Sequence, residues 1–298
     1  LDPTRVYSRH RSFMLHSAKR LDAATRRQAY RGNVLVFRHL PSLVALCAHF
    51  ESSETAAIAT LASSEHGAEG AASARAALCS AFEADERVAA LWRAALREAG
   101  VATERTCWDR VRLRVQQSGG AVDRVDDPSF AHGRFSSTLP LHRDTWASNV
   151  RCQLNCWTPL RPIAADRTMA IYPSFFERAV SNNSAEWDFD ELRRRRRCSS
   201  VEVETVGTAA AAYPQLPALA VQTAAEAKAL GKILEADEFP IVVKPGDLVV
   251  FSGAHLHRSI PNNSLATRFS SEVRLVDRDD DKCALLSLSP GLLFSVLF

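Results

Sequence analysis

Alternation of polar and apolar residues dominates the second half of the chain. Residues 108–116, WDRVRLRVQ, alternate along their length, which is typical of a half-buried β-strand. Turn-forming Pro, Gly, Asn and Ser residues separate five further predicted strand segments, at 150–160, 168–176, 200–206, 239–257 and 266–277. Many strands joined by turns, without long helices between them, predict a β-sandwich or a double-sheet jelly roll.

Helical patterns dominate the first third of the chain. Residues 33–42 predict a short strand that leads into a helix, and residues 42–98 are rich in Ala, Leu and Glu. The clearest helix is the amphipathic segment 84–101, in which Gly100 is the expected stop. Residues 55–80 fit either a helix or a mobile insertion.

The two halves are expected to form one integrated domain. A mostly helical region, residues 1–106, would pack on a β core formed by residues 107–298. A second Ala-rich segment, residues 223–239, predicts a short helix inserted before the last strands. With 298 residues, of which 46% are hydrophobic, the chain is long enough to bury a full core.

Composition narrows the possible partners. The net charge of +3 is small for this length and does not favour nucleic-acid binding. No apolar run is long enough for a membrane span, and the first residues lack the apolar core of a signal peptide. The seven cysteines are odd in number and form no CxxC pair, so we expect free thiols and a cytoplasmic location.

Candidate chemistry lies in three segments that are far apart in sequence. His142 and Asp144 stand one residue apart on a predicted strand edge, in LPLHRDTWASNV. A distant strand carries a second histidine, and Arg268 and Ser270 follow on the last predicted strand. Two neutral imidazoles and one carboxylate bind one face of Fe(II) and leave three positions open for a chelating cosubstrate and dioxygen. An arginine can bind the far carboxylate of such a chelator through two parallel hydrogen bonds.

This ordered set resembles the Fe(II)- and 2-oxoglutarate-dependent dioxygenases, and within them the phytanoyl-CoA dioxygenase-like branch. The segments HRDTW, TMAIYPSFF and HRSIPNNS…TRFS are similar to that branch in order and spacing, over roughly residues 108–277. The resemblance implies a double-stranded β-helix with N-terminal helices packed outside. It also implies Fe(II), 2-oxoglutarate and dioxygen, with a small-molecule metabolite hydroxylated, desaturated or cyclised through a ferryl intermediate. The alternative is a non-oxygenase metal-binding jelly roll, acting as a hydrolase, an isomerase or a binding protein.

The resemblance also selects the second histidine. His255 and His257 are expected to share one strand face, so alternation cannot separate them. His257 stands five residues before Asn262 and eleven before Arg268, which is the spacing of the ligand histidine in the resembled branch. His257 is therefore the predicted third metal ligand, and His255 a structural or substrate-facing residue.

Parity along the strands suggests further site residues. Gln153 and Asn155 share a face that we expect to line the interior beside the cosubstrate, although exposed positions remain the alternative. Arg112 and Arg114 could bind a substrate carboxylate or lie on a solvated sheet face. Trp146 could be a pocket wall or an ordinary core residue.

Two segments bear on the substrate. Residues 172–176, YPSFF, stand where the resembled branch has a PGSH-like turn, and the absence of its Gly and His puts an acyl-CoA substrate in doubt. The five consecutive arginines at 193–197 fit either a solvated surface segment or a site that recognises an anion.

Overall fold

The computed structural model describes residues 15–53, 68–117, 139, 141–148, 150–180, 182 and 224–280. The predicted strand at 200–206 and the arginines at 193–197 lie outside these residues. Within the described ranges the chain is mainly β, with its strands in two sheets and several helices.

The secondary structure follows the sequence patterns for most helices, whereas several strands are shorter than predicted. The described helices are α1 (Ala23–Ala29), α2 (Pro41–Ser53), α3 (Ala68–Ala84), α4 (Glu86–Glu98), α5 (Thr145–Ser148) and α6 (Ala224–Asp237). The described strands are β1 (Leu15–Ser17), β2 (Val34–Phe37), β3 (Thr106–Trp108), β4 (Arg112–Gln116), β5 (Leu154–Pro159), β6 (Met169–Ile171), β7 (Phe239–Pro240), β8 (Leu248–Ser252), β9 (His257–Ser259) and β10 (Arg268–Asp277). The undecided stretch at 55–80 is helical from Ala68 onward.

The larger sheet joins strands from both ends of the chain. Its order is β1-β2-β8-β5-β10-β3, and β4 also pairs with β10. Only the β1–β2 pair is parallel among the described pairs of this sheet. Strand β2 is antiparallel to β8, with Val36 opposite Val249, so the N-terminal region contributes strands to the sheet as well as helices.

Successive side chains of this sheet point to opposite sides, as the pleat requires. On the outer side, Leu35, Cys156 and Val250 pack with buried residues of α2, α3 and α4. On the inner side, a second apolar cluster joins Trp157 and Phe251 to the small sheet β7-β6-β9. The inner face therefore looks into the space between the two sheets.

Helix α4 illustrates how local signals and packing agree. The Asp85 carboxylate caps it by accepting from the Arg87 N–H at 2.7 Å, and Gly100 follows its end with a positive φ of 82°. Trp92 is fully buried on the sheet side, and its indole N–H donates to Ser271 Oγ on β10 at 2.9 Å. The amphipathic pattern thus places this helix on the outer face of the large sheet.

Trp92→Phe should lower the free energy of unfolding by roughly 2 kcal/mol, since it removes a buried hydrogen bond and leaves a small cavity. Urea unfolding, with an unchanged dependence on denaturant, is the measurement. The same substitution at the half-buried Trp108 is the matched control, and it should cost less. Equal losses at the two positions would contradict the packing role of Trp92.

The structure tests two sequence expectations, one about membrane-spanning helices and one about free cysteine thiols. No helix in the described part of the chain combines the length and the apolar character that a bilayer crossing requires. Of the five described cysteines, the expectation of free thiols holds for Cys47, Cys79, Cys107 and Cys156, but it is wrong for Cys152, which is disulfide-bonded. An odd cysteine count without CxxC spacing does not exclude a single bridge between cysteines that only the fold brings together.

Candidate metal centre

Backbone pairing holds two distant histidines side by side. The His142 N–H donates to the His257 carbonyl at 2.9 Å, and the His257 N–H donates to the His142 carbonyl at 3.0 Å. The two imidazole centroids are 4.3 Å apart. The predicted strand edge around His142 is thus a single β-bridge, and Asp144 follows it directly before helix α5.

The side chains of His142, Asp144 and His257 form a compact buried cluster. Their potential ligand atoms all lie within 4.8 Å of one another, and His142 Nε2 is 3.7 Å from Asp144 Oδ1. All three side chains are buried. Two imidazoles and one carboxylate are the donor set of the facial triad that binds Fe(II), so the residues present fit this metal.

The two neighbouring histidines have different environments. His257 Nδ1 lies 3.0 Å from the His255 carbonyl, a hydrogen bond that leaves Nε2 available to a metal. His255 precedes strand β9 and sits in a turn, so the expectation that the two histidines share a strand face is wrong. Its ring nitrogens lie 3.0 Å from the carbonyls of Ser252 and Gly32. Burial lowers the pKa of His255 to about 4, so this imidazole is neutral at pH 7.

Both oxygens of Asp144 have partners from the large sheet. Arg274 on β10 donates to Oδ1 at 3.0 Å, and the Asn155 amide on β5 donates to Oδ2. Gln153 in turn donates to Asn155 Oδ1 at 2.9 Å, which sets the orientation of the Asn155 amide. Burial opposes ionisation of Asp144, but Arg274, His257 and His142 outweigh it and lower its pKa. Gln153 and Asn155, predicted beside the cosubstrate, are therefore connected to the cluster through Asp144.

Asn155→Leu should weaken Fe(II) binding by about 10- to 100-fold, because partners of this kind hold ligand carboxylates in orientation. Anaerobic metal titration would measure the change. Thr158→Val is the matched control: Thr158 is equally buried on β5 but faces the opposite side of the sheet. An unaltered affinity in Asn155→Leu would show that Arg274 alone positions Asp144.

Arg268 occupies the inner face of β10. It is 4% exposed, and its Nε and Nη1 atoms have no hydrogen-bond partner among the described residues. Burial, with a smaller contribution from Arg114, lowers its pKa to about 10, so the guanidinium stays charged at pH 7. Ser270 lies on the same strand face, and its buried hydroxyl likewise lacks a partner in the described part of the chain. Buried donors of this kind fit an anionic ligand.

The remaining predicted site residues separate into two groups. Arg112 and Arg114 line a cavity of about 460 Å³ together with the histidine and aspartate cluster, so they do not lie on a solvated sheet face. Arg114 donates to Glu272 Oε1 at 2.6 Å, and Arg112 pairs with Asp109. Trp146 instead packs beside an apolar cluster that includes Tyr172 and Phe175.

Sequence reasoning missed Glu272 at this site, and it considered Arg274 only as an alternative to Arg268 for the cosubstrate carboxylate. Arg274 contacts Asp144, and Glu272 pairs with Arg114 and lines the cavity. Burial opposes ionisation of Glu272, but the neighbouring arginines, Arg114 first, lower its pKa to about 2. Alternation could have found both, since they follow Arg268 at even spacing on one strand.

Comparisons with solved structures show low sequence identity. SnoK, a non-heme α-ketoglutarate-dependent carbocyclase from nogalamycin biosynthesis, is 13% identical, with 93% of this chain and 95% of that chain covered and a TM-score of 0.42. EctD from S. alaskensis in its apoform is 14% identical, with coverages of 89% and 81% and a TM-score of 0.41. ThoJ, a non-heme monooxygenase, is 14% identical, with coverages of 80% and 68% and a TM-score of 0.40. No curated protein matches the chain in sequence.

A family profile, by contrast, matches most of the chain. The phytanoyl-CoA dioxygenase (PhyH) profile matches residues 19–270. This match confirms the predictions of a 2-oxoglutarate-dependent dioxygenase and of Fe(II) and 2-oxoglutarate as its cofactors, and it favours the oxygenase over the hydrolase, isomerase or binding-protein alternative. It also implies a small-molecule substrate and dioxygen as partners. The chain belongs to the phytanoyl-CoA dioxygenase (PhyH) family.

Proposed function

We propose that this protein hydroxylates a small-molecule metabolite, or desaturates or cyclises it, in a reaction that consumes 2-oxoglutarate and dioxygen. The observation that carries the proposal is the buried cluster of His142, Asp144 and His257 at the wall of a cavity large enough for a small molecule. Bound Fe(II), with two electrons from the oxidative decarboxylation of 2-oxoglutarate, would activate dioxygen as the oxidant for cleavage of a C–H bond.

The metal would be held by His142, Asp144 and His257. The hydrogen bond from His257 Nδ1 to the His255 carbonyl orients the ring, and Arg274 and Asn155 orient the Asp144 carboxylate. We propose that His255 is structural, because its ring nitrogens face backbone carbonyls of two other segments.

The cosubstrate would be held by Arg268. A buried guanidinium with unused N–H groups gains charge-assisted hydrogen bonds when a carboxylate binds it, so Arg268 would receive the distal carboxylate of 2-oxoglutarate. The Ser270 hydroxyl on the same strand face would add a hydrogen bond. Asn155, supported by Gln153, would act mainly through Asp144.

The fold proposed for this function is a double-stranded β-helix. Its two halves would be the large sheet and the small sheet, whose facing sides share an apolar cluster around Trp157, Met169 and Phe251. We also propose that residues 1–106 and 107–298 form one integrated domain. The pairing of β2 with β8 and the outer core shared by helices and sheet support this.

Anaerobic titration with Fe(II) and then 2-oxoglutarate tests the cofactor assignment. One metal ion per chain should bind, and 2-oxoglutarate should then produce the visible charge-transfer absorption of an iron chelate. In air, a metabolite screen should reveal compounds that stimulate succinate release. Metal binding without any binding of 2-oxoglutarate would contradict the proposal.

Labelled dioxygen then distinguishes the reaction types, once a stimulating compound is found. One labelled oxygen atom in the product, detected by mass spectrometry, indicates hydroxylation. Loss of two hydrogen atoms without incorporation of oxygen indicates desaturation or ring closure. A product in which neither change occurs would contradict the proposed reaction.

A further inference from the structure

The cavity at the metal centre carries more positive than negative side chains. Seven arginines line it among the described residues, against three carboxylates, those of Glu83, Asp144 and Glu272. Buried charges are costly unless they are paired. The partners of each arginine therefore show which positive charges are already neutralised and which remain for a ligand.

Five of the seven arginines have a carboxylate partner. The pairs are Arg114 with Glu272 at 2.6 Å, Arg274 with Asp144 at 3.0 Å, Arg258 with Glu238, Arg110 with Glu83 at 3.6 Å, and Arg112 with Asp109. With Asp109 and Glu238 included, five carboxylates oppose seven arginines. Two positive charges are left over, and the arginines without a carboxylate partner in the described part of the chain are Arg75 and Arg268.

The two cofactors do not remove this excess. Fe(II) carries two positive charges and 2-oxoglutarate two negative ones, so their sum is zero. Arg268 is the proposed partner of the distal carboxylate of 2-oxoglutarate. Arg75 then remains as a cation at the cavity wall for which neither the described protein residues nor the cofactors provide an anion.

Helix α3 places Arg75 at this wall. Arg75, Cys79 and Glu83 recur every four residues, so they share the helix face that lines the cavity. The Cys79 thiol donates to the Leu113 carbonyl at 3.5 Å, which attaches α3 to strand β4 beside Arg114. Burial lowers the pKa of Arg75, so the guanidinium has lost hydration that an anion would replace.

On these grounds, and resting on the proposed function, we propose that the substrate carries an anionic group, a carboxylate or a phosphate, and that Arg75 binds this group at the α3 wall of the cavity. The group would lie on the side of the cavity formed by α3 and β4. The reacting carbon of the substrate would thus be held at a fixed distance from its own charged end.

The test uses small anions as probes of the α3 wall. Protein loaded with Mn(II), as a paramagnetic substitute for iron, and with saturating 2-oxoglutarate would be titrated with inorganic phosphate and, separately, with ¹³C-labelled acetate. Relaxation of the ³¹P or ¹³C signal reports binding near the metal. Arg75→Gln should weaken the apparent affinity at least about tenfold, and Arg75→Lys should weaken it less. Arg93→Gln, at an exposed arginine of α4, is the matched control.

The outcomes distinguish a phosphate from a carboxylate on the substrate. They also test the anion site at Arg75 separately from the proposed function. An Arg75-dependent effect with phosphate alone indicates a phosphate-bearing substrate, and one with acetate alone indicates a carboxylate. Equal relaxation in wild type and Arg75→Gln, an equal loss in Arg93→Gln, or no relaxation with either probe overturns the inference. Binding of 2-oxoglutarate is measured in the same samples, and its failure in the wild type would overturn the proposed function independently of the anion results.

Discussion

Replacing His257 or His142 with alanine should abolish Fe(II) binding at micromolar metal. Each substitution removes one of three ligands from a cluster whose atoms lie within 4.8 Å of one another. The loss should exceed the roughly 10- to 100-fold effect that removal of a supporting partner produces. Anaerobic titration, followed by metal analysis of the desalted protein, measures it, and thermal unfolding in the presence of a chelator verifies that the variants are folded.

The control for this prediction is His255→Ala. His255 is fully buried and its neutral ring can donate to one of the two backbone carbonyls beside it, so its loss should reduce the free energy of unfolding by about 2–3 kcal/mol. Iron stoichiometry in the folded protein should stay close to that of the wild type. If His255→Ala loses the metal while His257→Ala retains it, the third metal ligand is His255 and the assignment to His257 is wrong.

Arg268→Leu should raise the Michaelis constant for 2-oxoglutarate strongly while iron still binds. A buried carboxylate that loses its charged partner costs about 3–5 kcal/mol. This corresponds to a rise of roughly 150- to 4000-fold. Succinate release as a function of 2-oxoglutarate concentration, together with anaerobic binding of 2-oxoglutarate to the iron-loaded protein, gives the measurement.

Arg161→Leu is the matched control for Arg268. Arg161 forms an ion pair with Glu51 at 2.5 Å, but both side chains are partly exposed, and such pairs contribute little. The Michaelis constant for 2-oxoglutarate should therefore be unchanged in this variant. A Michaelis constant that also remains unchanged in Arg268→Leu would transfer the carboxylate-binding role to Arg114 or Arg274, the other inner-face arginines near Asp144.

Local sequence patterns were sufficient for most of the secondary structure. The segment 84–101 contains its own cap, its apolar face and its stop, and α4 forms there as expected. Strand β10 coincides with the predicted segment 266–277. Such elements depend on neighbours within a few residues, which a linear pattern contains.

The alternation of polar and apolar residues gave a wrong side-chain direction where the strand is shorter than the alternating segment. After the turn predicted at Pro245-Gly246-Asp247, the sequence pattern predicts one strand that reaches His257, but β8 ends at Ser252 and β9 begins at His257. His255 lies in the intervening turn, so its ring points to Gly32 instead of sharing a face with His257. Turns between short strands reverse the side-chain direction that alternation assumes.

The sequence by itself determined the family and the ordered set of His142, Asp144, His257 and Arg268, because motif order and spacing are properties of the linear chain. Only the tertiary structure decided which charges neutralise one another. Arg274 contacts Asp144 across 130 positions of sequence, and Arg75 reaches the cavity wall without a carboxylate partner in the described part of the chain. The physical reason is that electrostatic interaction depends on distance and burial, and packing of remote segments sets both.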